Sequence, residues 1–412
     1  MNTGKNMNQN SSLKGNVARI IILLICLASM NFLNAYYYLV IAIIGVYFLL
    51  NPKINIDFIP MLFLLLLGVS ILIFSPSSDT TIFAPVKPFL YVLCYVIGAS
   101  MLSLSSTDDK KTSFKLFNWV LFAIGLGLFI HYALNWISNI DSLERNTIDF
   151  WTGKVLAATG QAAFACIPLA LSISCLFAPS KKWMKVAAII TIVVIMLYNL
   201  ILSGRSLLVI LVALVAVAFS HKFLKLEKRR ARMLLVALLV LLALVFAYQM
   251  NLFGLRAFIE STPIYDRFFG SNNLGNIGEV DRISRKIIHL QNMASHWWGG
   301  ANIRAEYGYA HDIFLDTYDE AGVLAFIAIS VYMLITLSHL IKCIRDDSLP
   351  FTFRQTVICL YVGVYIEFMV EPILQGMPWM FALFCLIDGY VARLLRHNKK
   401  VKESALDEGS AN

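Results

Sequence analysis

The chain has 412 residues, of which 59% are hydrophobic and 14% are charged, and its formal net charge is +9. Soluble domains carry about 25% charged residues, so this composition excludes a soluble globular protein and predicts a polytopic membrane protein. The seven cysteines lie in or beside apolar runs and form no CxxC pair, which argues against a disulfide framework or a zinc site. No small-residue cleavage site follows the first apolar run, so we expect a retained anchor rather than a signal peptide.

Twelve apolar runs have about the length that a membrane-spanning helix needs, roughly 20 residues. They cover residues 17–33, 35–50, 57–75, 84–104, 114–136, 158–178, 184–203, 205–221, 232–250, 322–342, 353–371 and 376–395. Only Asn31 to Asn34 separate the first two runs, and Ser203 to Ser206 separate the seventh from the eighth. The pattern predicts an all-α polytopic protein with about twelve spans.

The distribution of lysine and arginine sets the expected orientation. With the N-terminus in the cytoplasm, most of the 34 lysines and arginines fall in cytoplasmic segments, as the positive-inside rule requires. Both termini are then cytoplasmic, and the two long polar loops, 137–157 and 251–321, lie on the other side. We interpret the basic run 222–232 as a cytoplasmic topology anchor near anionic lipid, and we expect no nucleic-acid partner. The chain thus divides into an N-terminal bundle (1–250), a loop domain with short helices (251–321) and C-terminal helices with a tail (322–412).

Arg205 stands between two apolar runs, directly after Ser203 and Gly204. An arginine at the membrane boundary needs an anionic partner or a route to the water interface. One interpretation is an interfacial anchor. The other is a phosphate or diphosphate ligand, because the guanidinium fork matches two phosphate oxygens and the glycine permits close approach to the backbone.

The second basic group lies in the long loop, in the segment that runs from Asp281 to His289. Apolar residues at 283, 287 and 290 have helical spacing, so the segment is predicted to form an amphipathic helix lying on the membrane. Its basic face can bind anionic headgroups. Alternatively, Arg282 and Arg285, which lie three residues apart, can point at one substrate.

His311 is the candidate for proton transfer, because it lies where the long loop meets an acidic, apolar-periodic helix. A helix N-terminus favours the neutral imidazole, and a neutral imidazole can accept a proton from a hydroxyl group. The alternative is a structural histidine. Gly322 is expected to mark the entry of this helix into the membrane, and Glu320 either serves the same boundary or pairs with an arginine.

Other polar and aromatic groups of the outer loops complete the candidate set. Arg145 and Arg304 are further basic candidates for binding an anionic substrate. The aromatic residues, Phe150, Trp151, Trp297 and Trp298 among them, either belong to an interfacial belt or stack on sugar rings. Glu371, Pro372, Gln375 and Trp379 lie at a third outer turn and can close the pocket.

Three motifs together resemble the O-antigen ligase and polymerase superfamily of bacterial envelope glycosyltransferases. They are Leu202-Ser203-Gly204-Arg205 between two spans, Arg282 followed by Trp298-Gly299-Gly300, and His311-Asp312-Ile313-Phe314-Leu315-Asp316 with Glu320-Ala321-Gly322. The superfamily usually has His-Asn at the third motif, so Asp312 is a departure. The similarity in topology covers the whole chain, whereas the motifs cover about 200–215 and 280–325.

The resemblance implies an inverting, metal-independent glycosyl transfer on a GT-C-like, all-α membrane fold, with no cofactor. The donor would be an undecaprenyl-diphosphate-linked glycan and the acceptor lipid A-core or another lipid-linked glycan, with membrane lipids around the enzyme. By position match, Arg205 and Arg282 would hold the diphosphate, and His311 would act on the acceptor hydroxyl. Arg285, Arg145, Ser203 and Arg304 would bind the substrates. The protein would lie in the bacterial inner membrane with its site facing the periplasm.

Three functions stay open at this point. The compact chain and its single large basic loop favour an O-antigen ligase acting in lipopolysaccharide biosynthesis. A repeat-unit polymerase shares the same motifs. A transporter or flippase of lipid-linked glycan is the third, but transporters usually carry ionisable residues deep within their spans. The spans here look nearly free of buried charge, and that expectation argues against transport.

Overall fold

The structure is a computed structural model. It describes residues 3–50, 54–75, 86–104, 110–141, 146–202, 204–225, 249–251, 254–261, 265 and 277–410. The ninth predicted span, 232–250, falls almost wholly outside these ranges. Contacts divide the chain into two compact units. Unit 1 comprises Met1–Ile130, Asp281–Phe353 and Phe368–Asn412, and unit 2 comprises His131–Val280 and Arg354–Glu367. The three-part division predicted above stays a prediction.

Helices dominate the described part of the chain. In chain order they are α1 (Thr3–Ser29), α2 (Tyr36–Leu50), α3 (Phe58–Phe74), α4 (Leu90–Ser100), α5 (Lys110–Ser138), α6 (Ala158–Phe177), α7 (Lys182–Leu202), α8 (Arg205–Lys225), α9 (Leu255–Glu260), α10 (Ile277–Asn292), α11 (Asn302–Tyr307), α12 (Ile313–Arg345), α13 (Phe351–Val370), α14 (Ile373–Gly376) and α15 (Pro378–Ser410). Short 3-10 turns lie at Phe32–Asn34, Lys87–Phe89, Met101–Leu104 and Met293–His296.

Eight of the described helical segments are long and apolar enough to cross a membrane. They are Lys87–Leu104, Ser113–Ser138, Ala158–Phe177, Lys182–Leu202, Arg205–Phe223, Ile313–Arg345, Phe351–Val370 and Pro378–Lys399. Three shorter apolar helices, Gly15–Ser29, Tyr36–Leu50 and Phe58–Phe74, coincide with the first three predicted spans. The fold class is therefore that of an all-α, multi-pass membrane protein, and the number of twelve spans stays a prediction.

The break between the first two runs falls where the sequence placed it. Asn31, Leu33 and Asn34 have positive φ angles of 50°, 53° and 59°, and the backbone therefore leaves the right-handed helix there. Asparagine tolerates this left-handed conformation better than most residues. The segment 17–50 consequently forms two helices rather than one.

Helix α12 begins before the tenth predicted span, in the acidic segment after His311 for which the sequence also predicted a helix. The sequence placed the span at 322–342, whereas α12 already begins at Ile313. Gly322 does not open the helix but interrupts it, with φ 76° and ψ −170°. The physical reason is a carboxylate cap at Asp312, which accepts hydrogen bonds from the amides of Phe314 and Leu315 and starts the helix nine residues earlier.

Within unit 1, small residues allow two spans to approach closely. A Cβ added to Gly98 in α4 would collide with the carbonyl oxygen of Leu386 in α15, and one added to Gly389 would collide with that of Tyr95. Such close backbone contact is the usual way in which membrane helices associate, because lipid offers no hydrophobic gain for larger side chains. In the same unit α3 packs on α12 and α1 packs on α2.

Within unit 2, α6 packs against both α7 and α8. The loop before α6 forms an antiparallel hairpin of two short strands, β1 (Asn146–Ile148) and β2 (Val155–Ala157), with Thr147 opposite Leu156. The expectation of a purely α-helical chain missed this hairpin. Its strands have only three residues each, too few for an alternation of polar and apolar residues to be visible.

The expectation that the spans are nearly free of buried charge is wrong. Several ionisable side chains within the apolar segments are less than a tenth exposed, namely His131, His221, His339, Arg354, Glu367 and Asp388. A scan for apolar runs does not reveal them, because one ionisable residue among about 20 apolar ones hardly changes the mean hydropathy. The hydrogen-bond partners of His131, His221, His339 and Asp388 lie 18 or more residues away, as with His131 and Asp149.

Candidate functional site

The turn that presents His311 is fixed by two carboxylates at the start of α12. Asp312 caps the helix, and the buried Asp316 accepts hydrogen bonds from the amides of Ala310 and Asp312 at 2.8 and 2.9 Å. Acidic groups are favourable here, because the positive end of the helix dipole faces them. His311 itself adopts a left-handed conformation with φ 56°. The backbone on both sides of this histidine is therefore held in place, and the imidazole projects from a rigid turn.

The His311 imidazole lies beside the carboxylate of Glu371. Its Oε2 lies 3.7 Å from Nδ1 of His311, and its side chain is only 2% exposed, against 20% for the histidine. The separation is longer than a hydrogen bond. Among the residues that the structure describes, neither His311 Nδ1 nor Glu371 Oε1 has a hydrogen-bond partner. The two groups are thus close enough to interact and still have bonding capacity to offer a ligand.

Arg282 approaches the other oxygen of the same carboxylate. Its Nη2 lies 3.6 Å from Glu371 Oε1, and its Nη1 donates to the carbonyl oxygen of Val370 at 3.5 Å. The arginine side chain is 34% exposed, so part of the guanidinium faces outward. The structure therefore brings two predicted site residues, His311 and Arg282, to one buried carboxylate. Glu371 was predicted only as a residue that can close the pocket, so its position between them had not been anticipated.

Lys286 is a second basic group of this site that the sequence reasoning did not select. Its Nζ lies 3.1 Å from Asp312 Oδ2 and donates to the carbonyl oxygen of Met369 at 2.9 Å. Together with Arg282, one turn earlier on α10, it covers the last carbonyl groups of α13. Cations are favourable at that negative end of a helix dipole. The spacing of four residues between the two bases was the available signal.

Arg285 and Arg304 make contacts of other kinds. A Cβ added to Gly308 would lie 3.2 Å from Nη1 of Arg285, so this guanidinium packs closely on the loop before α12. Arg304 pairs with Glu320, and its guanidinium carbon lies 5.0 Å from the ring centre of Tyr309. Glu320 therefore has the arginine partner that the sequence left open. Substrate binding by either arginine stays a prediction.

Gly299 and Gly322, which belong to the motifs Trp298-Gly299-Gly300 and Glu320-Ala321-Gly322, lie where two segments of backbone come into contact. The amide of Val323 donates to the carbonyl oxygen of Trp297 at 2.9 Å, across the interruption of α12. A Cβ on Gly322 would lie 2.6 Å from that same oxygen, and a Cβ on Gly299 would collide with the Gly322 amide. Both glycines have positive φ angles, 79° and 76°. The loop thus docks on α12 through backbone contacts for which any side chain is too large.

Arg205 belongs to unit 2, where it begins α8 and is partly exposed. The turn before it is tight, because Asn199 donates from Nδ2 to the carbonyl oxygen of Gly204 at 2.8 Å. A Cβ on Gly204 would collide with the Asn199 side chain. Packing against Asn199 is one reason for a glycine at this position, and the approach of a headgroup stays a prediction. Ser203 and Arg145 lie outside the described residues, and their predicted roles stay predictions.

Unit 2 also holds a histidine–carboxylate pair that the sequence reasoning missed. Nε2 of His131 in α5 lies 2.6 Å from Asp149 Oδ2, and both side chains are buried. Burial raises the pKa of Asp149, but the hydrogen bond and charge interaction with His131 outweigh it and lower the pKa to about 2. Asp149 also accepts hydrogen bonds from the amides of Trp151 and Thr152. The pair therefore ties the β1–β2 turn to α5.

Within the described residues, no group of three or more histidine, cysteine, aspartate or glutamate side chains is placed to hold a metal ion. The chain matches no protein-family model, and no curated protein sequence matches it significantly.

Proposed function

We propose that the protein is a glycosyltransferase that moves a glycan from a polyprenyl diphosphate to a sugar hydroxyl. The observation that carries this proposal is the buried Glu371 carboxylate with His311 at 3.7 Å on one oxygen and Arg282 at 3.6 Å on the other. One group can take a proton and another can neutralise a diphosphate, and these are the two tasks of such a transfer. The resemblance supplies the substrate class.

In the proposed reaction the acceptor hydroxyl attacks the anomeric carbon of the donor sugar. The bond from that carbon to the diphosphate oxygen breaks, the configuration inverts, and the hydroxyl proton passes to the imidazole of His311. Glu371 stabilises the imidazolium that forms, because a buried carboxylate close to a new positive charge favours it. General base catalysis of this kind contributes about 10²–10⁴-fold in rate.

Arg282 is suited to the leaving group. Its guanidinium is partly exposed while its contacts with Glu371 and Val370 hold the side chain in one orientation. A preorganised cation next to a developing negative charge lowers the barrier without reorganisation at the moment of reaction. The resemblance gives Arg205 a similar task, but the proposal does not depend on that residue.

We propose O-antigen ligase as the specific activity, in a bacterial inner membrane with the site on the periplasmic face. The test is complementation of a deletion strain with His311→Ala, and with His296→Ala as the matched control from the same loop. Loss of surface polysaccharide with His311→Ala alone, together with long lipid-linked polymer and bare core, supports a ligase. Core capped with one repeat unit would identify a polymerase, and normal polysaccharide would overturn the assignment of His311.

Transport of a lipid-linked glycan is the second candidate, and one observation favours it. Asp388 in α15 is fully buried and hydrogen-bonded to His339 in α12 at 2.9 Å. Ionisable groups within spans are costly and are common in transport pathways. Reconstituted protein that moves glycan lipid between leaflets without forming a new glycosidic bond would favour transport over transfer.

A further inference from the structure

Helix α10 exposes its apolar face and turns its basic face inward. Ile283, Ile287 and Leu290 are 68%, 47% and 57% exposed. They are separated by four and three residues, so they lie on one side of the helix. Of the side chains that the structure describes on α10, the charged ones, Arg282, Arg285 and Lys286, lie outside this stripe. In water, three large aliphatic side chains at these exposures form an apolar stripe that needs a partner.

The opposite side of α10 is already occupied by contacts within unit 1. Arg282 and Lys286 bind Glu371, Asp312 and the end of α13, as described above. His289 is 1% exposed, and its Nε2 lies 3.0 Å from the carbonyl oxygen of Gly308. Most of the basic face is therefore engaged within unit 1, although the Arg282 and Lys286 side chains keep 34% and 33% of their surface exposed.

The surroundings of α10 indicate what covers the apolar stripe. The contacts of Lys286 and His289 fix the helix beside the first turn of α12, which is a membrane-crossing segment. Farther along α12, Leu324, Ile327 and Leu334 are 41%, 45% and 64% exposed, as expected of a surface that faces lipid. The stripe on α10 thus resembles the exposed apolar surface of α12 in residue type and exposure.

The residues that follow α10 fit the same environment. Trp297 and Trp298 are 49% and 46% exposed, and Trp298 stacks on Phe74 with ring centres 5.1 Å apart. Half-exposed tryptophans are typical of the boundary between headgroups and acyl chains. We infer that α10 lies in this boundary, with Ile283, Ile287 and Leu290 in the lipid and with its basic face over the Glu371 site.

The position of α10 also determines how a lipid-borne substrate would enter the site. The helix that carries Arg282 is itself immersed in the membrane surface, so a lipid-borne substrate reaches the site from within the bilayer. That route rests on the proposed function, whereas the lipid contact of α10 does not. An experiment can therefore contradict one of these two claims and leave the other standing.

The test uses the full-length protein in native membranes, with the photocrosslinker p-benzoylphenylalanine placed at residues 283, 287 and 290 in separate variants. Matched controls place it at Ala305 and Glu306, two exposed residues of α11. After irradiation, mass spectrometry identifies the adducts. We expect phospholipid adducts at 283, 287 and 290, at least fivefold more abundant than at the two controls.

Two outcomes would overturn the inference. Adducts to a second copy of the chain or to another protein at these three positions would identify a protein interface instead. Equal phospholipid yields at the stripe and at the controls would show that the crosslinks reflect mere proximity to the membrane. Because three positions are tested separately, loss of one variant through misfolding leaves the measurement intact.

Discussion

Unit 1 contains two histidine–carboxylate pairs, and they differ in whether the two side chains are hydrogen-bonded to each other. The core pair, His339 and Asp388, joins α12 to α15 through a 2.9 Å hydrogen bond, and Tyr332 donates to the second oxygen of Asp388 at 3.4 Å. The site pair, His311 and Glu371, lies at 3.7 Å, and each member has a buried atom without a hydrogen-bond partner among the described residues.

This difference in hydrogen bonding suits the two pairs to different tasks. A buried polar network whose members are bonded to one another holds helices in a defined arrangement. A pair that keeps unused bonding capacity at the end of a loop can bind and react with a ligand, although the unused capacity costs stability. The same residue types therefore serve different purposes, and the geometry distinguishes them where the sequence does not.

Asp388→Ala should have the largest effect on stability. It leaves His339 buried without its carboxylate, and breaking one partner of a buried pair costs about 3–5 kcal/mol. Asp388→Asn, which keeps a hydrogen-bonding group, should cost less. Thermal unfolding of the purified protein measures both. An unchanged melting temperature for the alanine variant would show that the core pair does not hold α12 and α15 together.

Glu371→Gln should mainly affect activity. The substitution keeps the size of the side chain but removes the charge next to His311 and Arg282, and two unit charges about 4 Å apart interact by up to about 4 kcal/mol near a protein surface. We therefore expect transfer to fall roughly 10- to 100-fold. A steady-state transfer assay gives this value, and the melting temperature should change little. A large loss of stability with full specific activity would make Glu371 a structural residue.

Gly322→Ala should destabilise the junction of loop and helix by about 1–3 kcal/mol. The residue has φ 76°, and a Cβ would lie 2.6 Å from the carbonyl oxygen of Trp297. Gly45→Ala in α2 is the matched control, because nothing lies within 4 Å of its added Cβ. That control should be neutral or slightly stabilising, since alanine is the better helix former. Equal melting temperatures for the two variants would contradict the backbone docking described here.

The His131–Asp149 pair should give the smallest effect, one that depends on pH. The pKa of Asp149 is lowered from 3.8 to about 2, so the pair stabilises the fold above about pH 4 and loses this contribution as the pH falls towards 2. After a discount for the partial exposure of the carboxyl group to solvent, this contribution to the free energy of unfolding is about 1–2 kcal/mol. Asp149→Asn should reduce the dependence of the melting temperature on pH between pH 4 and 2. The control substitution, Asp141→Asn at an exposed position, should leave that dependence unchanged. A parallel fall in all three proteins would contradict this.

Sequence reasoning succeeded where the signal is local. Apolar runs located the described membrane-crossing helices, and two asparagines located the break between α1 and α2. The amphipathic period of residues 283, 287 and 290 identified α10, but the direction of its faces depends on what α10 packs against. The choice between headgroup binding and inward-facing bases therefore needed the structure.

Other features of the site could not be predicted because their partners are distant in the chain. Glu371 follows Arg282 by 89 residues in the sequence, so no spacing rule links them. The core pair is hidden for the same reason, since His339 and Asp388 each look like a single polar residue in an apolar run. Gly322 was expected to mark the entry of a helix into the membrane. Only the contact with Trp297 reveals that this glycine lets the preceding loop pack against α12.

The most direct test of the site pair is a double-mutant cycle on transfer activity with the purified, reconstituted protein. It compares the wild type, His311→Ala, Glu371→Gln and the double variant at one pH, with donor glycan lipid and acceptor at saturating concentration. Because Glu371 contacts both the imidazole and Arg282, we expect the loss of activity in the double variant to exceed that of His311→Ala alone but to be smaller than the product of the two single losses. Losses that multiply in the double variant, or His311→Ala protein that retains wild-type activity, would contradict the account.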